Sequence, residues 1–219
     1  ADITVPNLDN GTTSGTLAAM TSSDNRTWTG TFTPTANTED NNNTLSLGTS
    51  YTDLAGNAGP SETTANYVVD TLAPTVSSFT LSDTALKAGD NATVELVFSE
   101  AVCADSSVCG VNVFSSADIN LDNATGLLST MSPNDNKTIW TGTFTPTTGR
   151  EVDNNTLSLD TTYTDVAGNP GPSATTSNFE VETKAPTATF FISDTTLRLT
   201  DNATVDLVFS EPVIGFSSD

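Results

Sequence analysis

The chain has 219 residues, with 6 Lys and Arg against 27 Asp and Glu, no His, 2 Cys and a formal net charge of −21. That balance argues against a nucleic-acid partner or an anionic membrane surface, both of which need clustered Lys or Arg. It favours solubility and attracts divalent cations.

Internal repetition orders the predicted elements. Thr27–Thr35, TWTGTFTPT, returns as IWTGTFTPT at 139–147, which places Trp28 and Trp140 112 residues apart. NNTLSLGTSYTDLAGNAGPS at 42–61 returns at 154–173, and LSDTALKAGDNATVELVFSEAV at 81–102 returns at 192–213. A period of 111 to 112 residues is one ordinary domain.

In this frame, residues 1–72 hold the later strands of one repeat, 73–186 a complete repeat, and 187–219 the first two strands of a third. Ala1-Asp2-Ile3 matches Ala117-Asp118-Ile119, and the Phe216–Asp219 segment matches the stretch from Phe114 to Asp118. The window therefore starts and stops mid-repeat. It reads as one repeat unit of something longer, or as a chain whose halves pair with neighbours.

The complete repeat predicts strands at about 76–82, 92–99, 117–122, 127–131, 138–145, 156–164 and 177–183. Val94, Leu96 and Phe98 alternate with Glu95 and Val97, which turns the first three inward. Val205, Leu207 and Phe209 repeat that pattern. Leu157, Leu159 and Tyr163, with Trp140 and Phe144, supply further core. Seven short strands with no helical period indicate an all-β sandwich. The Trp residues read as core rather than as ligand platforms.

Cys103 and Cys109 bracket CADSSVC. They read either as a disulfide, which fits an oxidising extracellular setting, or as two reduced thiols in a loop. Without His or further Cys they make a poor zinc site.

The ordered motifs D-T-x-A-P-T (Asp70–Thr75), F-S-E-[AP]-V (Phe98–Val102) and Y-T-D-x-A-G-N (Tyr163–Asn169) resemble the bacterial Ig-like repeats of giant calcium-dependent surface adhesins. The resemblance covers the whole chain. It implies tandem Ig-like seven-stranded β-sandwiches in an extracellular or cell-surface extender, stiffened by Ca²⁺ at inter-repeat junctions. One departure stands out: Glu182 and Lys184 replace Asp70 and Leu72 in the second linker.

Glu100 closes the second strand, Asp165 and Asn169 lie in the last inter-strand loop, and Asp70 enters from the preceding repeat, so all four fall at one pole. They form the candidate Ca²⁺ set, because Ca²⁺ takes six to eight oxygens. Their repeat counterparts Asp53, Asn57, Glu182 and Glu211 extend the set to the other copies of that pole. The alternative is turn chemistry alone, since Asp and Asn make Asx turns and Gly accepts positive φ. A second acidic group, Asp83, Asp90, Asp122 and Asp153, falls at the opposite pole. Pro74 and Pro186 fix φ and stiffen the linkers.

Nothing in the sequence supports catalysis. The chain has no His, no nucleophile elbow and no phosphate-cradling loop. Eight N-x-[ST] sequons occur, and they read as turn chemistry or as glycan acceptors. Three functions stand at this point: a Ca²⁺-stiffened extender; a subunit joined head-to-tail to neighbouring repeats of the same or an identical chain; and a glycan-binding module using the Cys103–Cys109 loop.

Overall fold

The computed structural model describes residues 3, 4 and 14–217, so the frame match at Ala1, Asp2, Ser218 and Asp219 lies outside the described residues. The N-terminal half-repeat holds β1 (Ile3–Thr4), β2 (Gly15–Leu17), β3 (Phe32–Pro34), β4 (Glu39–Asn43), β5 (Ser46–Leu47), β6 (Glu62–Thr63) and β7 (Tyr67–Asp70). The complete repeat holds β8 (Val76–Leu81), β9 (Ala85–Lys87), β10 (Ala92–Phe98), β11 (Ile119–Asn120), β12 (Gly126–Leu128) and β13 (Ser132–Pro133). It continues through β14 (Ile139–Pro146), β15 (Glu151–Asn155), β16 (Ser158–Leu159), β17 (Ala174–Thr175) and β18 (Phe179–Glu182). A C-terminal hairpin follows, β19 (Ala188–Ile192) and β20 (Val205–Phe209).

The complete repeat is a sandwich. One sheet runs β12-β14-β10-β8, with β13 also on β14. Facing it are the short ladders β11-β16-β17 and β15-β18-β9. Alternation along β10 sets the core: Val94, Leu96 and Phe98 are buried, while Glu95 faces solvent. Opposite Leu96 lies Trp140, whose indole N–H donates to the Lys137 carbonyl at 3.1 Å. Phe114 packs edge-on against Trp140 at 4.7 Å and Tyr163 at 5.2 Å, and Phe98 touches both Phe114 and Tyr163. Such edge-to-face contacts add roughly 0.5–1.5 kcal/mol each beyond the burial of area.

Three strand expectations need correction. The segment between the first two strands is not only a turn: β9 pairs parallel with β18, because Leu86 is fully buried beside Val181. The strand expected at 156–164 begins earlier, as β15 and β16, with a register shift between Val152 and Asn155. Buried Asn155 holds that shift by donating to the Val152 and Phe179 carbonyls. The strand expected at 117–122 opens with a 3₁₀ turn, Ser116–Asp118, capped reciprocally by Ser115 and Asp118.

The half-repeat uses the same residues differently. Its TGTFTPT segment forms only the three-residue β3, paired with β2. The equivalent β14 has eight residues, because β10 supplies a second neighbour. Trp28 is accordingly 53% exposed, against 3% for Trp140, which corrects the reading of both Trp residues as core. Among the described residues no helix is long and apolar enough to cross a membrane, which says nothing of β-barrels.

Candidate functional site

Pole geometry follows from the loops. After Tyr163 the chain turns through Asp165-Val166-Ala167-Gly168-Asn169. Asp165 Oδ1 accepts the backbone N–H groups of Gly168 and Asn169 at 2.7 and 2.8 Å. Gly168 has φ +97°, which a side chain would strain. The turn-chemistry reading is therefore correct for the loop itself. The matching Asp53–Asn57 loop repeats the contacts of the asparagine, with Asn57 N and Nδ2 donating to the Asp53 carboxylate, but there Ala55 N replaces the glycine N–H as the other donor to Oδ1. The Asn57 amide and backbone hold the exposed Asp53 carboxyl below its usual range.

The turn also aims a carboxylate. Asp165 is buried, and it meets Asp70 from the end of β7 and Glu100 from the bend after β10. One carboxylate oxygen from each of the three lies within 4.8 Å of the others. Asn169 Nδ2 donates into the same group, to Asp165 Oδ2 at 2.7 Å, Asp70 Oδ1 at 3.3 Å and the Leu72 carbonyl at 3.1 Å. The site thus joins the half-repeat to the complete repeat. Burial, then the charges of Asp70, Asp165 and Glu39, push the Glu100 carboxyl up to about 7.

Glu39 escaped the sequence reading. Only the cross-strand register reveals it: Glu39 sits opposite Asp70 in the β4–β7 ladder, as Glu151 sits opposite Glu182 in β15–β18.

The other candidates are not brought into this group. Asp53 and Asn57 bond to each other in an exposed loop. At the second linker Lys184 Nζ pairs with Glu151 at 3.2 Å, and Glu182 accepts the Lys184 backbone N–H at 2.9 Å. Glu211, half-buried after β20, lies apart from any such cluster among the described residues. Asp83, Asp90, Asp122 and Asp153 do not converge either: Asp83 accepts from Ala85 N and Asp90 from Lys87 N.

Cys103 and Cys109 are joined as a disulfide, with Cα atoms 6.4 Å apart. The ring encloses a single helical turn, Ser106–Cys109, capped by the Asp105 carboxylate. Cys103 N donates to the Thr164 carbonyl at 2.9 Å, and Val102 bridges Asp165, so this loop is mounted on the acidic pole.

The model of the family described as bacterial Ig-like domain matches residues 2–69 and again residues 70–181. The chain belongs to that family. No curated protein and no solved structure matches it. The two matches are tandem Ig-like domains, and the acidic group lies where they meet.

Proposed function

We propose that this bacterial Ig-like protein is an extracellular structural extender whose inter-repeat joint is stiffened by Ca²⁺. The observation that carries the reading is the convergence of Asp70, Glu100 and Asp165, carboxylates from two successive repeats, with no basic side chain paired to them among the described residues.

The donor set suits a hard cation. Three carboxylates, the nearby Glu39 and the Asn169 side-chain amide offer oxygen ligands, and Ca²⁺ prefers oxygen from carboxylates, amides and carbonyls. Burial, then the neighbouring carboxylates, raises the Glu100 carboxyl, and a divalent ion would favour its charged form. An ion held by residues of both repeats would restrict bending at the joint. Asp70, Glu100 and Asp165 would hold it, and Asn169 would turn its amide oxygen inward. The ion's role here is crosslinking.

Extracellular placement rests on the Ig-like family, the disulfide and the acidic surface. The test is small-angle scattering on the chain in calcium and in chelator. Calcium should lengthen and stiffen the particle, and Glu100→Gln should abolish the change. Identical profiles in both conditions would remove the metal from the reading.

A further inference from the structure

The loop that carries Cys103 and Cys109 is not needed for the aromatic contact beside it. Sixteen positions separate Phe98 from Phe114 in the complete repeat, and seven separate their counterparts Phe209 and Phe216. The short connection has no cysteine. It still brings its two rings together edge-on at 5.5 Å, as the long one does at 5.6 Å. The insertion and its disulfide therefore serve something other than that contact.

What the insertion does touch is the backbone around Asp165. Cys103 N donates to the Thr164 carbonyl at 2.9 Å, and Thr164 N donates to the Asn112 carbonyl at 3.2 Å. Asn112 N in turn donates to the Cys109 carbonyl at 3.3 Å, so the two ends of the disulfide ring hold the carbonyl and the N–H of Thr164. The Cys109 sulfur lies 3.9 Å from the Asp165 carbonyl oxygen, and Val102 bridges Asp165 itself. From Asp165 the contacts run on across the joint. Its carboxylate accepts from Gly168 N, Asn169 N and Asn169 Nδ2. Asn169 Nδ2 also reaches Asp70 Oδ1 and the Leu72 carbonyl, which lie where the preceding repeat ends.

We propose that the disulfide-closed loop is a brace for the inter-repeat joint: opening Cys103–Cys109 loosens the Asp165 turn and its hold on Asp70 and Leu72, while the sandwich stays folded. The proposal rests on the reading of the acidic pole as the joint, and not on calcium being bound. The joint keeps its brace in an oxidising medium and loses it in a reducing one.

The burial of the two sulfurs sets the order of opening. Cys103 is buried, whereas Cys109 is half-buried and follows the exposed stretch Asp105-Ser106-Ser107-Val108. An incoming thiolate therefore attacks Cys109 Sγ and expels Cys103 as its thiolate. With a dithiol as reductant, the second sulfur of the reagent then displaces Cys109. The reagent leaves as a cyclic disulfide, and its two electrons and two protons end on the two cysteines.

A crosslink that only stabilised the fold would act on the unfolded chain and leave native motion unchanged. Backbone order parameters from nuclear magnetic resonance separate that role from a brace. The 219-residue chain is measured in chelator, oxidised and then reduced with dithiothreitol. Order parameters at the Gly168, Asn169 and Leu72 amides should fall on reduction from about 0.85 to about 0.6 or less, while those of Leu96 and Trp140 stay near the rigid value. A second variant needs no thiol: Cys103–Val113 replaced by the Ile-Gly pair that stands at 214–215 in the next copy should lose order at the same three amides. Order retained there in either sample overturns the inference, as does an equal fall at Leu96 and Trp140. A calcium titration of the oxidised chain decides the metal reading separately. Absence of binding would remove the ion, and the order parameters measured in chelator would still decide the brace.

Discussion

Leu96 faces Trp140 across the β10–β14 ladder, and both are sealed from water. The pair lies on the inward face of the β12-β14-β10-β8 sheet, within the hydrophobic core. Trp28 stands in the same motif without such a neighbour, and more than half of its surface meets solvent. One sequence therefore has two energetic meanings. Trp140→Ala should cost about 3–5 kcal/mol, the usual penalty for emptying a large buried aromatic site. Trp28→Ala should change stability by about 0.5 kcal/mol or less in dilute, monomeric protein. Urea unfolding followed by circular dichroism measures both, and equal losses would contradict the difference in burial.

The Glu100 carboxyl gives the joint a definite pH dependence. Its folded value, about 7, stands above its ordinary 4.5 because of burial and the neighbouring Asp70, Asp165 and Glu39. The native state therefore binds this proton more tightly than the unfolded state. The resulting stability is fully present below about pH 4.5 and is lost as the pH rises to about 7. Glu100→Gln isolates the effect from the other carboxylates. In chelator, the variant should match wild type near the low end of that window and exceed it above the high end. A difference that stays constant across the window would show that Glu100 titrates normally.

The two linkers make an internal comparison. Glu39 and Asp70 in the first correspond to Glu151 and Glu182 in the second, but Leu72 becomes Lys184, which pairs with Glu151 at 3.2 Å. The second linker thus carries its own cation. Leu72→Lys should bring the same charge to the first linker and weaken its calcium response. Isothermal titration of wild type and variant tests this. Unchanged affinity would mean that a charge at position 72 does not reach the carboxylates. An exposed pair of this kind contributes only about 0–1 kcal/mol, so the change should appear in metal binding rather than in melting.

Much of the scaffold was legible because it obeys a period of two. The alternation of Val94, Leu96 and Phe98 with Glu95 gave both the strand and its inward face, and the burial follows it. β9 was not legible: Ala-Leu-Lys is too short for a periodic signal, and it is a strand only because β18 offers a parallel edge. At the pole, the motif residues Asp70, Glu100, Asp165 and Asn169 do converge. Glu39 was missed because its role depends on cross-strand register rather than on any local motif. Asp83, Asp90, Asp122 and Asp153 share a pole by topology, but at least two of them are occupied with capping nearby backbone.

The Cys103–Cys109 bridge constrains a short ring mounted beside Asp165. Closing so small a ring stabilises by about 2 kcal/mol on the chain-entropy estimate. The Cys103→Ser, Cys109→Ser double variant should lose about that much in a urea titration, with the sandwich core intact. Loss of near-ultraviolet aromatic signal would instead mean that the loop holds Phe114 in place, since Phe114 N donates to the Cys103 carbonyl at 2.9 Å.

Gly171 offers a sharper test of packing. Its backbone N–H donates to the Tyr163 carbonyl at 2.9 Å, and a Cβ added there would run into the Tyr163 ring. Tyr163 is fully buried, and its hydroxyl donates to the Pro172 carbonyl at 2.8 Å, so the ring has no room to retreat. Gly171→Ala should therefore cost about 1–3 kcal/mol through overpacking. Burial, with Asp118 nearby, holds the Tyr163 phenol above its ordinary value. A displaced ring regains water, so its ultraviolet titration should move back toward that of free tyrosine. Gly59→Ala makes the same contact with Tyr51, but that ring is only half-buried and can swing aside. The Gly59 variant should lose markedly less stability, and equal losses at the two glycines would mean that the backbone, not the tyrosine, sets the limit.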